Sequence, residues 1–536
     1  MNPANRRWTS TTAHVGGNAL IFVALAMALS ALVEVIEGDE APAMFVAAAM
    51  TGALGVGMRR WTRTGVLDRS MVFTAVGATW VLVSVVGALP YVLAGTFVRD
   101  GAGALVVLAD AFFESVSGYS CTGSTVFGVH NPIEAQGSGI LLYRQLTQWL
   151  GGMGIVVLVV TVLPSLRASG LGLIDAEAPG ERRPENSGKF EQAADRLAPK
   201  VVDTARQFWK VYGALTVIGA VLLLAAGMNP FDAVAHALSA ISTGGFSTRN
   251  ASIGYWNSVP VELVVMAVMI LGAASFTLHA RSYRTRGFVH LADPEFRWYL
   301  GLIGGWTLVV AVLLAADGMA WTRALRMSAF NVVTLGTSGG FGNATGAGSD
   351  GDFAVWAAGP QVMLLLLLVV GGCTGSTSGG IKVIRLRIGV AHAYRALRAM
   401  RRPRAVLHVR YGDGTVPESL VERIAGFMVV FGMFAVIGTV LVAALGTDLI
   451  TAFTGVIEAL GNMGPAFGEA GPTASFVDGY STPARLLLAT LMLVGRLEIF
   501  PMILMLIVPY RSIRQVVPKG PLRQLRERRD QRPMGA

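Results

Sequence analysis

Charge is scarce in this chain. Asp, Glu, Lys and Arg make up 14% of its 536 residues, against about 25% in an ordinary soluble protein. Hydrophobic residues reach 53% and the mean hydropathy is +0.56. Runs near 20 apolar residues recur throughout, which excludes a soluble enzyme and points to many membrane spans. Cysteine is nearly absent. Cys121 and Cys373 are the only two, so neither a disulfide framework nor a CxxC metal site is available, and each reads as a small neutral residue. There is no phosphate-binding GxxxxGK(S/T) loop, since Gly188-Lys189 lacks both the upstream glycine and the hydroxyl, which excludes an internal ATPase. Gly151–Gly154 lacks the third glycine of a dinucleotide fingerprint. The seven histidines are scattered without an HExxH pair, so a membrane metalloprotease is excluded as well. No nucleophile–base constellation stands out, so the chain does not read as an enzyme and no bound organic cofactor is expected.

The charges that remain are ordered. Arg and Lys gather in Arg59–Arg69, Arg167–Lys210, Arg281–Arg286, Lys382–Arg410 and Arg511–Arg532. The intervening stretches hold Glu37, Asp39, Glu40, Asp350, Asp352, Glu469 and Asp478. That alternation is the positive-inside pattern and places the basic loops in the cytoplasm. The net charge of +10 therefore reports topology, and no nucleic acid is expected as a partner. The tail from Val517 to Ala536, with Arg526, Arg528 and Arg529, reads as disordered and suited to anionic head groups, so membrane lipid is the partner it implies.

Arg6 and Arg7 precede an apolar stretch from Val15 to Ile36. It exceeds the roughly 7–15 residues of a signal-peptide core and reads as a retained first span. Ten spans are predicted, near 15–36, 42–58, 70–95, 138–163, 207–227, 259–279, 298–316, 355–373, 420–445 and 483–508. An even number returns both termini to the cytoplasm. The polar stretch 164–206 has room for a short helix at 189–197. Residues 381–418 read as a basic amphipathic stretch followed by a loop near Pro403 and Gly412.

After the first two spans the chain parses as four copies of span, short helix, Gly-rich segment, span. The short helices are predicted at 109–119, 231–241, 326–336 and 450–460. From Asp110, Asp232, Met327 and Thr451 a glycine lies thirteen residues on each time, at Gly123, Gly245, Gly340 and Gly464. Weak identity with strict spacing marks an internal repeat. The expected divisions are 1–68 (two N-terminal helices), 69–166 (first repeat), 167–280 (linker and second repeat), 281–402 (third repeat), 403–510 (fourth repeat) and 511–536 (tail). The fold class is thus an all-α polytopic membrane protein, with four pseudo-symmetric helix–pore-helix–helix repeats around one pore and two extra helices before them.

The four Gly-rich segments read Ser120-Cys121-Thr122-Gly123, Ser242-Thr243-Gly244-Gly245, Thr337-Ser338-Gly339-Gly340 and Gly461-Asn462-Met463-Gly464. Irregular backbone at membrane depth is tolerated only where it is buried or lines a watery path. Converging on one axis, the segments would offer a ring of carbonyl oxygens, which is how a protein replaces the hydration shell of an alkali cation. The fourth-position glycine tolerates φ > 0 and frees successive carbonyls to turn. Ser and Thr hydroxyls would add ligands, and Phe246 and Met463 would pack behind. A short helix aims partial negative charge from its C-terminal end, and four would add. None of the segments contains Asp or Glu, so potassium fits better than calcium, which recruits acidic rings. A carrier built on two broken helices is the competing class; it predicts paired broken helices rather than four filter-like segments.

Gly371-Gly372-Cys373-Thr374-Gly375-Ser376-Thr377-Ser378-Gly379-Gly380 interrupts the second span of the third repeat. It would unwind the helix in mid-membrane and suits a gate; an ordinary loop at the membrane boundary is the plainer reading. Lys382 either snorkels to the interface or touches the path. Arg496 lies inside the last span, where a charge costs about 2.5–3.5 kcal/mol on insertion scales. It would raise a barrier to a cation in the pore, pair with Glu498 or Glu458, or do both.

These motifs carry a resemblance. Segments ending in Gly-Phe, the Trp-Leu-Gly-Gly-Met-Gly-Ile of Trp149–Ile155, the Gly371–Thr377 run before Gly379–Arg385, and Gly495–Pro501 resemble the Trk/Ktr/HKT superfamily of potassium transporters. Two extra N-terminal spans make the chain most similar to the TrkH branch, and the likeness covers about residues 15–510. The resemblance implies potassium as the transported ion, moved down its gradient or coupled to another ion. It implies a homodimer with one pore per subunit in the bacterial inner membrane, and a cytosolic nucleotide-binding regulatory subunit of TrkA or KtrA type. It puts the selectivity filter on the four segments, the gating loop on Gly371–Gly380 and the pore arginine at Arg496. A glycine in all four repeats matches the potassium-selective pattern. The sequence departs from the family at Gly339, where Thr is usual, and at Cys121 and Ser124.

Overall fold

The computed structural model describes residues 3–38, 41–62, 69–99, 101–154, 190–402, 405, 407–412, 414–499 and 502. Among these, strand structure is confined to a small hairpin, Arg410–Tyr411 paired with Gly414–Thr415. Among the described residues six helices are long and apolar enough to cross a membrane, or seven if one bent pair counts as a single span. The first two, Pro3–Ile36 and Pro42–Trp61, pack along each other. They cross closely because a Cβ on Gly17 would lie 2.8 Å from the Gly55 carbonyl, and one on Gly55 2.9 Å from that of Gly17. Small residues at such a crossing are the usual route to tight helix association in lipid.

The rest of the chain repeats a pattern four times. A long helix is followed by a short one, at Ala104–Tyr119, Pro230–Ile241, Trp321–Gly336 and Leu449–Gly461. Their C-terminal ends match the predicted ones. The first and third begin about five residues earlier than predicted; in the first, Ala104–Leu108 carries no polar face to mark a helix, and Leu105 and Leu108 are both exposed. Local signals set the starts of the other two. The Asn229 side chain accepts from the Asp232 N–H, with Pro230 in the first turn, and Asp448 accepts from the Ile450 and Thr451 N–H groups. The Thr451 side chain and these backbone donors hold the Asp448 carboxyl below its usual range.

The returning helices are interrupted inside the expected spans. They are Ser138–Gly152, Val259–Gly272, Ala358–Leu367 and Thr482–Arg496, of 15, 14, 10 and 15 residues. Each stops for a local reason. Gly151 and Gly152 end the first, and the second bends by 96° before Phe276–Thr285. The third runs into Gly371-Gly372. The fourth ends where Glu498 and Ile499 take φ of +55° and +64°. The predicted extensions over 155–163 and 500–508 lie outside the described residues, apart from Met502. The helix predicted at 189–197 is the start of a continuous one, Phe190–Ala225. The basic stretch forms Val383–Arg401.

Buried ion pairs bind the repeats together. Arg485 in the last helix donates two bonds to Asp110 in the first short helix, at 3.0 and 2.7 Å. Arg326 holds Glu262 at 2.9 Å, joining the third repeat to the second. Arg144 pairs with Glu114 at 2.9 Å, both fully buried, and its Nη1 donates to the Ser247 carbonyl at 2.8 Å.

Candidate ion pathway

Each short helix ends the same way. The third residue of the following segment donates its N–H back to the carbonyl five positions earlier: Thr122 to Ser117 at 2.9 Å, Gly244 to Ser239 at 2.9 Å, Gly339 to Thr334 at 2.6 Å and Met463 to Glu458 at 3.2 Å. This is the Schellman closure, which requires a left-handed residue just before it. Cys121, Thr243, Ser338 and Asn462 occupy that position with φ of 54°, 52°, 54° and 52°. Three of these are neither Gly nor Asn, so each carries a cost of about 1–2 kcal/mol that surrounding contacts must offset. The glycine two residues on is again positive, with φ of 91° at Gly123, 86° at Gly245, 73° at Gly340 and 87° at Gly464. The sequence pointed to these glycines; the left-handed residue before each was not legible in it.

The four segments meet. A Cβ added to Gly123 would collide with the carbonyl oxygen of Gly244. One on Gly245 would lie 2.7 Å from the Gly339 oxygen, one on Gly340 3.4 Å from the Met463 oxygen, and one on Gly464 3.0 Å from the Thr122 oxygen. The third-position carbonyl oxygen of the next segment is among the three nearest atoms each time, and the fourth leads back to the first. Thr122, Gly244, Gly339 and Met463 thus each set a carbonyl oxygen against the glycine of a neighbouring segment, and the four segments abut in a closed cycle.

Side chains hold this arrangement from behind. The Gln148 amide donates to the Gly244 carbonyl at 2.6 Å and accepts from the Phe246 N–H at 3.1 Å and the Ser239 hydroxyl at 2.7 Å. Asn462 donates to the Thr122 hydroxyl at 3.0 Å and to the Met492 carbonyl at 2.9 Å. Ser124 bonds to the Glu458 carboxyl and to the Gly464 carbonyl. The hydroxyls expected to serve as ligands are engaged with protein: Ser120 with Thr122 at 2.6 Å, Ser242 with the Leu238 carbonyl at 2.9 Å, Thr337 with the Thr334 carbonyl at 3.3 Å. The Cys121 thiol donates to the Gln148 carbonyl at 3.1 Å. Phe246 packs as expected, under the Arg144 guanidinium at 4.2 Å, and Met463 packs where a Cβ on Gly380 would begin.

Gly371–Gly380 forms a tucked loop, pinched where the Gly371 N–H donates to the Ile381 carbonyl and the Ile381 N–H to the Val369 carbonyl, both at 2.9 Å. It docks on the bend of the second repeat: Cys373 N–H to Ala273, Thr377 N–H to Gly272, and Phe276 N–H to Gly375. The Thr377 hydroxyl lies 3.3 Å from that of Thr243, and Ser378 accepts from Ser338 at 3.0 Å. The Ser378 hydroxyl also receives the Gly372 N–H at 2.7 Å, and Ser376 folds back on the Cys373 carbonyl. Glu295 receives the Thr374 N–H at 2.8 Å and its hydroxyl at 3.1 Å. A Cβ on Gly379 would strike the Gly461 carbonyl, so the loop lies directly against the fourth segment. Lys382 donates to the Ser378 carbonyl and lines a cavity with Gly375–Gly380, Gly152 and Arg496.

Arg496 has neither expected partner. Glu498 pairs with Arg385, and Glu458 is turned to Ser124. Arg496 instead donates to three carbonyls: Thr377 at 2.7 Å, Gly151 at 2.9 Å and Gly152 at 3.3 Å. It bridges the loop, the first returning helix and the last one. Carbonyls take up its Nη1 and Nη2 donors without neutralising the charge, while its Nε is buried without a hydrogen-bond partner. Two further charges inside expected spans, Arg144 and Arg485, carry the same signal in the sequence as Arg496. Gln148 is flagged only by its place beside the Trp149 motif.

Residues 41–515 match the family described as TrkH, cation transport protein. The Trk system potassium uptake protein TrkH of Halomonas elongata is 35% identical over 495 residues, covering 91% of this chain and 96% of the relative. The protein of the same description from Escherichia coli K12 is 32% identical over 502 residues, covering 91% and 96%. The crystal structure of the potassium transporter TrkH from Vibrio parahaemolyticus superposes with a TM-score of 0.77 at 30% identity, over 93% of this chain and 98% of that one. With the family matched across most of its length and its fold shared with a solved relative, the chain belongs to the TrkH family of cation transport proteins.

Proposed function

We propose that the chain is the pore-forming, ion-conducting subunit of a Trk-type potassium uptake system in the bacterial inner membrane. The closed cycle of third-position carbonyls from Thr122, Gly244, Gly339 and Met463 carries this reading. Alternating signs of φ let consecutive carbonyls turn to one side, and such a ring replaces water around an alkali cation. The relatives' names, which speak of potassium uptake, support the choice of ion. The four segments act as the selectivity filter, Gly371–Gly380 as the gate below it, and Arg496 as a barrier on the same path. The repeat divisions follow those read from the sequence, and both termini are cytoplasmic.

The homodimer belongs to the same reading. Val390, Tyr394, Leu397 and Met400 form an exposed apolar stripe on the otherwise basic helix Val383–Arg401, and such a stripe supports an interface. A cytosolic nucleotide-binding subunit of TrkA or KtrA type is the expected regulator. Rubidium uptake by potassium-dependent cells expressing the chain, with sodium as competitor and with or without a regulator, tests the proposal. Uptake that sodium suppresses as well as potassium does would sink it.

A further inference from the structure

Helix Pro294–Ala316 carries Gly301 and Gly305, where an added Cβ would meet nothing within 4 Å. The missing side chains leave a groove between this helix and Val383–Arg401, reaching the Arg410–Thr415 hairpin at one end. Along the helix the groove is walled by Trp306, Val309 and Met363. At its mouth stand Arg281, Arg297 and Arg387, and among the described residues that line it none is acidic. Arg387 is held between two rings, its Cζ 4.8 Å from the Trp298 centroid and 4.9 Å from that of Tyr411. Its Nη1 is buried with no hydrogen-bond partner. Among the described residues none of the three arginines takes part in an ion pair.

A groove apolar along its length and cationic at one end matches a molecule with an anionic head and a hydrocarbon tail. The reach from Arg297 to Val309 is twelve residues, about 18 Å along a helix, close to the ~15 Å depth of one leaflet. Trp298 stands at the head-group level where aromatic residues collect. Basic pockets between helices on the cytoplasmic side are the kind that hold anionic lipid heads. A second copy of the chain fits less well, since a two-fold contact through the groove would turn the same arginines toward one another.

We propose that this groove binds one anionic phospholipid of the inner leaflet, with its phosphate on Arg281, Arg297 and Arg387 and an acyl chain along Gly301 and Gly305. The inference rests on the orientation proposed above, but its test needs no ion flux, so the two readings fail separately. The full chain, purified in detergent and delipidated, is titrated with phosphatidylglycerol or phosphatidylcholine, and first-lipid adducts are counted by native mass spectrometry. Phosphatidylglycerol is expected to bind roughly tenfold tighter or more, with each arginine changed to Gln weakening it roughly fivefold. Gly305→Leu fills the groove with a better helix former and is expected to weaken the first adduct of either lipid. Equal affinity for the two lipids, or a preference untouched by Arg281→Gln, Arg297→Gln and Arg387→Gln together, overturns the proposal. Gly305→Leu that splits a dimer while lipid adducts persist overturns it too, in favour of a second copy in the groove.

Discussion

The carbonyl oxygen of Gly244 occupies the space where a side chain on Gly123 would begin. Gly123 also sits at φ 91°, so any side chain there is strained by about 1–2 kcal/mol before the clash is counted. Gly123→Ser is therefore expected to push the second segment's oxygen off the centre. Rubidium uptake should fall and sodium should compete better. A sodium-to-potassium ratio identical to that of the unaltered protein would count against Gly123 as a filter residue. Gly340→Ser should be milder, because its nearest neighbours lie 3.3–3.4 Å away.

A similar argument applies to the loop. A Cβ on Gly379 would collide with the Gly461 carbonyl and lie 2.9 Å from Asn462 Cβ. Gly379→Ala must draw the loop away from the fourth segment. If the loop narrows the path, liposomes carrying this variant should leak rubidium without any regulator. A well-folded variant with unchanged flux would remove the loop from the gating role.

Asp110 and Arg485 tie the first repeat to the fourth through two hydrogen bonds in a dry interior. Removing one partner leaves a buried charge, at a cost of about 3–5 kcal/mol, whereas replacing both with apolar residues is often nearly neutral. Asp110→Leu and Arg485→Met should each lower the apparent melting temperature in detergent, and the double variant should recover much of the loss. Additive losses would mean that the pair is not coupled. Arg99, which also reaches Asp110 but is 36% exposed, should matter little.

Spacing and patterning made the four short helices and their glycines legible, since both survive in the order of residues along the chain. The ends of the returning helices were not. Apolar residues continue past Gly152, Gly272 and Arg496, and hydropathy alone cannot distinguish a straight span from a broken one. Glu498 and Ile499 take left-handed backbone without any glycine to announce it. The partners of Arg496 were illegible for a different reason. They are backbone carbonyls, which every residue has, so no side-chain pattern marks them. Gln148 and Glu458 act across repeats, on segments roughly a hundred or more residues away, and only the fold brings them to the filter segments.

Arg496 places a full positive charge beside the loop, with carbonyls but no carboxylate as partners. Two like unit charges 4 Å apart repel by about 4 kcal/mol at an effective dielectric constant of 20, and the repulsion falls only as the inverse of distance. A cation passing the loop therefore meets a barrier that Arg496→Ala should lower, raising flux severalfold. The same change also cuts three hydrogen bonds and could free the loop, so Arg496→Lys separates the two causes. Lysine keeps the charge but has no planar fork to span Thr377, Gly151 and Gly152 together. If the charge is the barrier, the lysine variant should conduct like the unaltered protein while the alanine variant conducts faster. If both variants conduct equally fast, Arg496 acts as a clasp on the loop and its charge is incidental.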